Sequence, residues 1–203
     1  MHVLITGATG KLGRVLTQGF GHQGDVVIPV SRTIGCNLLS DPFPTCDPQV
    51  IVHAARDLDA TWAEEWQLGV LALVEMAMYY ATVPDSQLRS IIVISSIYGM
   101  GAVPPVLKST TPLQYGCVKA GMIHVVKELA VRLAPTVRVN AVSYGGVVGR
   151  VDKGFEARYA ALCPQGRMLQ DADVFGPVKF LASEDASGVT GHNLVVDGGW
   201  TAW

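Results

Sequence analysis

Short apolar runs alternate with longer amphipathic stretches along the whole chain. The runs His2–Thr6, Val26–Val30, Val50–His53, Ile91–Ser95, Val137–Val142 and Leu194–Val196 read as strands, and a weaker one covers Cys36–Leu39. The stretches Lys11–Phe20, Thr61–Ala81, Leu113–Leu133, Phe155–Leu162 and Ala172–Ala182 read as helices. Strands covered on both faces are apolar almost throughout, because neither face meets water. The alternation therefore predicts an α/β chain: a parallel sheet with helices on both faces, in a single domain over residues 1–203. Pro42, Pro44 and Pro48 interrupt the place where a further crossover helix would sit, which predicts loop or one short turn there.

The turn Thr6-Gly7-Ala8-Thr9-Gly10-Lys11-Leu12-Gly13 joins the first strand to the first helix. Glycines let the backbone turn tightly and approach a pyrophosphate, whose charge then lies at the helix N-terminus. This assigns Gly7, Thr9, Gly10, Lys11, Leu12 and Gly13 to a dinucleotide cofactor, although an ordinary tight βα turn can look the same. Lys11 either strengthens that binding or points to solvent. Ser31 and Arg32 end the second strand, where an acidic residue would bind ribose hydroxyls. Serine and arginine suit a 2′-phosphate instead, which favours NADP(H) over NAD(H); a solvated surface arginine is the plainer alternative.

Composition narrows the class further. Charged residues make up 16% and hydrophobic residues 49% of the chain, a hint that other copies cover part of its surface. The net charge of −2 gives no electrostatic reason to expect nucleic acid or an anionic membrane as partner. Cys36, Cys46, Cys117 and Cys163 form no CxxC pair and no metal-like spacing, so reduced thiols and no metal are expected. No signal-peptide layout and no apolar span of membrane length occur, and the expected location is cytoplasmic.

Tyr115 and Lys119 stand at helical (i, i+4) spacing, and Ser96 closes the run Ile91-Ile92-Val93-Ile94-Ser95-Ser96. Together they offer a phenol acid, a cation to lower its pKa and a hydrogen-bond donor for a carbonyl oxygen. Each alone fits a strand-end serine, a helix-start tyrosine or a solvated lysine. With the Gly-rich turn, Tyr115-Gly116-Cys117-Val118-Lys119-Ala120-Gly121, Val137-Arg138-Val139-Asn140-Ala141-Val142-Ser143 and the tail Val189-Thr190-Gly191-His192-Asn193-Leu194-Val195-Val196-Asp197-Gly198-Gly199, they resemble the short-chain dehydrogenase/reductase superfamily, in its shorter single-domain branch.

The resemblance implies a Rossmann-like doubly wound sheet of about seven strands and a homotetramer or homodimer. It makes Tyr115 the general acid/base, Ser96 the group that polarises the carbonyl, and Lys119 the ligand of the nicotinamide ribose. Lys119 would also lower the Tyr115 pKa, which in free tyrosine is about 10. The family's Asn-Asn-Ala-Gly reads His53-Ala54-Ala55-Arg56 here; Ala54 and Ala55 still let the adenosine side pass closely, and His53 reads as a packed strand-end histidine. Gln67 falls where the family's relay asparagine is expected. Tyr144-Gly145-Gly146 replaces Pro-Gly beside the nicotinamide, so Tyr144, Gly145 and Val147 are assigned to the cofactor; Tyr144 is either an aromatic wall with a useful hydroxyl or a partly buried loop tyrosine.

The chain is shorter than typical members around Ile34–Pro48 and longer between Tyr98 and Leu113, where Pro104, Pro105 and Pro112 imply an ordered loop over the substrate. That loop and Val147–Met168 should set specificity. Ser95-Ser96-Ile97-Tyr98-Gly99, Gln165-Gly166-Arg167-Met168-Leu169 and the tail to Trp203 look similar to reductases of bacterial surface-sugar and flagellin-modification pathways. The expected activity is hydride transfer between NAD(P)(H) and a carbonyl or alcohol, with a sugar-derived substrate as one reading. A 3-oxoacyl thioester or generic ketone fits equally, and a non-catalytic dinucleotide-binding or assembly protein is the alternative of another class.

Overall fold

The computed structural model describes residues 1–107 and 111–203. Strands β1 (His2–Thr6), β2 (Val26–Val30), β3 (Val50–His53), β4 (Ser90–Ser96), β5 (Arg138–Tyr144) and β6 (Asn193–Val196) pair in parallel in the order β2-β1-β3-β4-β5-β6. Side chains alternate between the faces, as the pleat requires. Leu4, Ile51, Ile91 and Val93 pack on one side against α3 (Ala72–Thr82) and α4 (Leu113–Leu133). Val3, Ile5, Val50, Val52, Ile92 and Ile94 pack on the other against α1 (Lys11–His22) and α6 (Ala172–Ala182). Two cores sandwich one sheet, and the strand order reverses beside β1, which opens a crevice at the strands' carboxyl ends.

The doubly wound class is as the sequence predicts, with six strands among the described residues rather than about seven. Cys36–Leu39 forms no strand. Asp41 and Asn37 take the local backbone donors instead: Asn37 N donates to Asp41 Oδ2 at 2.7 Å and Leu39 N to Asn37 Oδ1 at 3.2 Å. Such side-chain bonds compete with a ladder. The segment contributes Cys36, Leu38, Phe43 and Cys46 to the core as irregular chain, with one short 3-10 turn at Arg32–Ile34. β2 is left as an edge strand, and its Pro29 has no N–H to offer a further strand.

The stretch read as one helix over Thr61–Ala81 is broken. A capping box between Thr61 and Glu64 starts α2 (Trp62–Trp66), a π-helical turn follows at Gln67–Leu71, and α3 continues. Past β5, α5 (Lys153–Leu162) carries a small satellite core. There Leu107, Tyr159, Cys163 and Met168 are buried together, and Trp200 stacks on Tyr159 with ring centroids 4.2 Å apart. Part of the predicted loop between Tyr98 and Leu113 thus sits on α5 through Leu107; its residues 108–110 lie outside the described residues.

Candidate active site

A crevice of about 280 Å³ runs from Ser31 and Arg32 across the Gly7–Gly13 turn to Tyr115 and Lys119, with Ala54 and Ala55 on its wall. The turn has no room for side chains: a Cβ at Gly13 would lie 2.0 Å from the Gly7 carbonyl oxygen. The first turn of α1 can therefore approach a ligand by backbone alone, and its free N–H groups and dipole favour an anion. At the far end three hydroxyls form a cluster, Thr9 Oγ1 lying 2.7 Å from both Ser31 Oγ and Thr33 Oγ1. Lys11 is partly exposed, and its Nζ pairs with Asp171 Oδ1 at 2.9 Å. Arg32 Nη1 donates to Asp57 Oδ2 at 2.5 Å, so the expected phosphate reader already has a carboxylate partner lining the same crevice.

A second, wider pocket of about 710 Å³ adjoins the crevice, and Tyr115 lines both. Ser96, at the end of β4, faces this second pocket; its Oγ accepts from Tyr98 N at 3.2 Å while its own proton stays available. β4 and α4 approach closely because Gly99 lacks a side chain; a Cβ there would lie 2.7 Å from the Lys119 carbonyl carbon. Ser95 Oγ donates to the Lys119 carbonyl at 3.0 Å and ties the two elements at this point. Lys119 is buried, with Nζ donating to the Ile94 carbonyl at 2.8 Å and lying 5.9 Å from the Tyr115 ring centroid. Burial, and then the nearby Arg56, bring its pKa down to about 7, with Glu65 opposing. The predicted trio of Ser96, Tyr115 and Lys119 is thus brought to one place.

Other assignments land differently. Gln67 begins the π-helical turn, is exposed, and lines neither cavity; its neighbour Leu68 is the residue that faces the crevice. Tyr144, Gly145 and Val147 line the wider pocket rather than the crevice. The Tyr144 hydroxyl donates to the Val174 carbonyl at 2.5 Å, and burial pushes its pKa up, so the residue contributes a ring wall and no free hydroxyl.

His53 is fully buried and shares a 2.9 Å hydrogen bond with Thr6 Oγ1, while its Nε2 has no hydrogen-bond partner. Burial, with Lys119 adding to it, lowers its pKa to about 4. A depressed folded-state value means the unfolded chain binds the proton first, so stability is lost as pH falls from about 6.5 towards 4. The loss attributable to His53 is about 3 kcal/mol. Urea unfolding between pH 7 and 4 should therefore fall less steeply for His53→Gln than for the natural chain; parallel curves would refute this role.

Sequence reasoning passed over Arg56 as a chemical group. Its guanidinium lies 4.0 Å from the Tyr115 ring centroid, and its Nε pairs with Glu65 Oε1 at 3.4 Å. The signal was available, since a long cation stands where the resembled pattern has glycine. Asp57 and Arg150, which also line the crevice, carried no comparable mark.

A family model described as enoyl-(acyl carrier protein) reductase matches residues 52–201. Post-translational flagellin modification protein A of Campylobacter coli is 36% identical over 118 residues, covering 55% of this chain and 45% of that protein. D-xylose 1-dehydrogenase of Caulobacter vibrioides is 28% identical over 98% of this chain and 94% of its own length. A short-chain dehydrogenase from Leptospira borgpetersenii, solved with bound NAD+, superposes with a TM-score of 0.83 at 25% identity, covering 98% of this chain and 92% of that one. The chain spans under half the length of the first curated relatives it matches, at 45%, 43% and 48%.

Proposed function

The chain belongs to the short-chain dehydrogenase/reductase superfamily, and from that premise we propose that it is an NAD(P)(H)-dependent oxidoreductase acting on a polar, sugar-type carbonyl or alcohol. The observation that carries this reading is the position of Tyr115, the phenol at the junction of a dinucleotide-shaped crevice and a second pocket. The crevice lined by the Gly7–Gly13 turn, Ala54, Ala55 and Lys119 would hold a nicotinamide dinucleotide, whose chemistry there would be hydride transfer. Ser96 would donate a hydrogen bond to the substrate oxygen, Tyr115 would give or take its proton, and Lys119 would hold the nicotinamide ribose. The likeness to D-xylose 1-dehydrogenase supports a sugar-derived substrate.

The preferred cofactor in this reading is NADP(H). Arg32 has 62% of its side chain exposed, and the Thr9, Ser31 and Thr33 hydroxyls lie beside it. A 2′-phosphate would take over the guanidinium from Asp57, a replacement that keeps the charge paired. One domain, homo-oligomeric as a tetramer or dimer and working in the cytoplasm, completes the proposal.

Side-by-side fluorescence titrations with NADPH and NADH test it. Binding of either at micromolar concentration supports the oxidoreductase reading, and binding of neither removes it. Arg32→Asp should move the NADPH/NADH affinity ratio towards NADH by tenfold or more, since it replaces a phosphate-binding charge with a repelling one; about 1.4 kcal/mol corresponds to that factor. An unchanged ratio would mean that another residue reads the phosphate.

A further inference from the structure

The wider pocket carries an excess of positive charge. Lys11, Arg56, Arg150 and Arg158 line it, against Asp152 as its one carboxylate among the described residues. Most of these groups are already engaged. Lys11 pairs with Asp171, and Arg158 donates to the Leu107 carbonyl at 3.1 and 3.3 Å. Asp152 caps α5 by accepting from Phe155 N at 2.9 Å, and it lies close enough to Arg158 to feel its charge. Arg56 has Glu65, through a single 3.4 Å contact made by Nε.

Arg150 differs. It makes no ion pair and no hydrogen bond among the described residues, yet it lines both the crevice and the wider pocket. Partial burial and the like charge of Arg56 both work against its protonated form, and only Tyr115 favours it. Lys119, beneath Tyr115, is also disfavoured by Arg56. Arg56 and Lys119 thus lie 4.0 and 5.9 Å from the Tyr115 ring centroid, Arg150 lines both cavities with that phenol, and Glu65 pairs with Arg56. Arg150 is exposed in the pocket with its fork of donors unpaired among the described residues, and an anionic ligand would take charge-assisted, fork-shaped hydrogen bonds from it beside Arg56.

The pyrophosphate of a dinucleotide belongs at the N-terminus of α1, on the Gly7–Gly13 turn. Arg56 instead lies on the Tyr115 ring, at the reacting end. Resting on the oxidoreductase reading, we propose that the substrate is an anionic carbonyl or alcohol compound, whose carboxylate or phosphate is bound by Arg150 together with Arg56, a few atoms from the carbon that Tyr115 and Ser96 serve. Neutral sugars and simple ketones would leave Arg150 without a counter-ion and Arg56 with Glu65 alone, and the pocket would select against them.

The test compares two charged/neutral pairs, galacturonate with galactose and ribulose 5-phosphate with ribulose. The full chain is used in a Tyr115→Phe background, loaded with whichever of NADPH or NADH binds, and calorimetry reads the affinity. The charged member of at least one pair should bind tenfold or more tightly than its neutral partner; the pair that responds tells carboxylate from phosphate. Adding Arg150→Gln, a change at an exposed position, should bring that ratio close to one. Equal affinities, a preference for the neutral members, absence of binding by both charged probes, or a preference that survives Arg150→Gln would each overturn the proposal. So would a loss of NADPH and NADH affinity in Arg150→Gln as large as the loss for the charged probe, because Arg150 would then serve the cofactor. Failure of cofactor binding in the parent would sink the oxidoreductase reading alone, since the same pairs titrated into cofactor-free protein still decide whether the pocket prefers anions.

Discussion

Tyr115→Phe should lower kcat by two to four orders of magnitude while leaving the affinity for NADPH or NADH within a few-fold of the parent. The size follows from what a positioned acid/base contributes. The change removes one oxygen and leaves the ring, so the stacking of Arg56, with its guanidinium 4.0 Å from the ring centroid, survives. The fold should tolerate the loss, since the Tyr115 hydroxyl supports no buried network among the described residues. Steady-state rates and a cofactor fluorescence titration on the same preparation separate the two effects. Tyr98 is the nearest rival: its ring meets that of Tyr115 edge-on at 6.4 Å, and it lines the same pocket. Burial, with Tyr115 adding to it, raises the Tyr98 pKa, which makes it a poor proton acceptor near neutrality. Full activity in Tyr115→Phe, lost only when Tyr98 is also changed, would transfer the acid/base role to Tyr98.

The fold was largely legible because its strands are buried on both faces, and such strands announce themselves as apolar runs. All six observed strands and both faces of helices could be read this way; α4 and α6 even begin and end where periodicity placed them. What failed were features decided by single side chains. Cys36–Leu39 has the composition of a strand, but Asn37 and Asp41 satisfy its backbone locally. The π-helical turn at Gln67–Leu71 shifts the phase of the helix, but it falls in the run Leu68–Val74, which is apolar at every position and so shows no period to be shifted. Gln67 opens that turn and stays outside the crevice, while Leu68 faces the ligand side.

At the site, spacing along one element made Tyr115 and Lys119 readable and the family resemblance added Ser96, whereas ion pairs and charge contacts formed across the fold were not readable. Tyr115 and Lys119 share a helix, so their proximity is implied by i, i+4 geometry. The pairing of Arg32 with Asp57 joins the end of β2 to the loop after β3, and nothing in either segment predicts it. Arg56 and Arg150 come from loops after β3 and β5 and meet only because both strands point their carboxyl ends at the same crevice. Their mutual repulsion is a property of the assembled site, and the local sequence around each holds no trace of it.

Lys119→Met should make the protein more stable and less active at once. An ammonium whose pKa falls from an ordinary 10.5 to about 7 disfavours the folded state at neutral pH, because the unfolded chain keeps its proton more tightly. With the folded value below the unfolded one, this penalty is absent above pH 10.5 and grows as pH falls towards 7, where it reaches about 4 kcal/mol. Methionine has similar length and no charge, and Met122 already lies against the same spot, its Sδ 3.4 Å from the Lys119 Nζ. The Ile94 carbonyl loses its 2.8 Å donor, which offsets about 1 kcal/mol of the gain. A net increase of about 2–3 kcal/mol at pH 7 remains, or roughly 4–12 °C in Tm for a chain of this size. Between pH 7 and 9 the natural protein should recover about 2 kcal/mol relative to the variant, as its lysine sheds the proton. A stability difference that does not change over that range would show that Lys119 does not titrate there. Cofactor affinity and kcat should both fall, because the ammonium that would hold the nicotinamide ribose beside Tyr115 is gone; a variant that lost rate but kept its cofactor affinity would leave Lys119 with no part in binding.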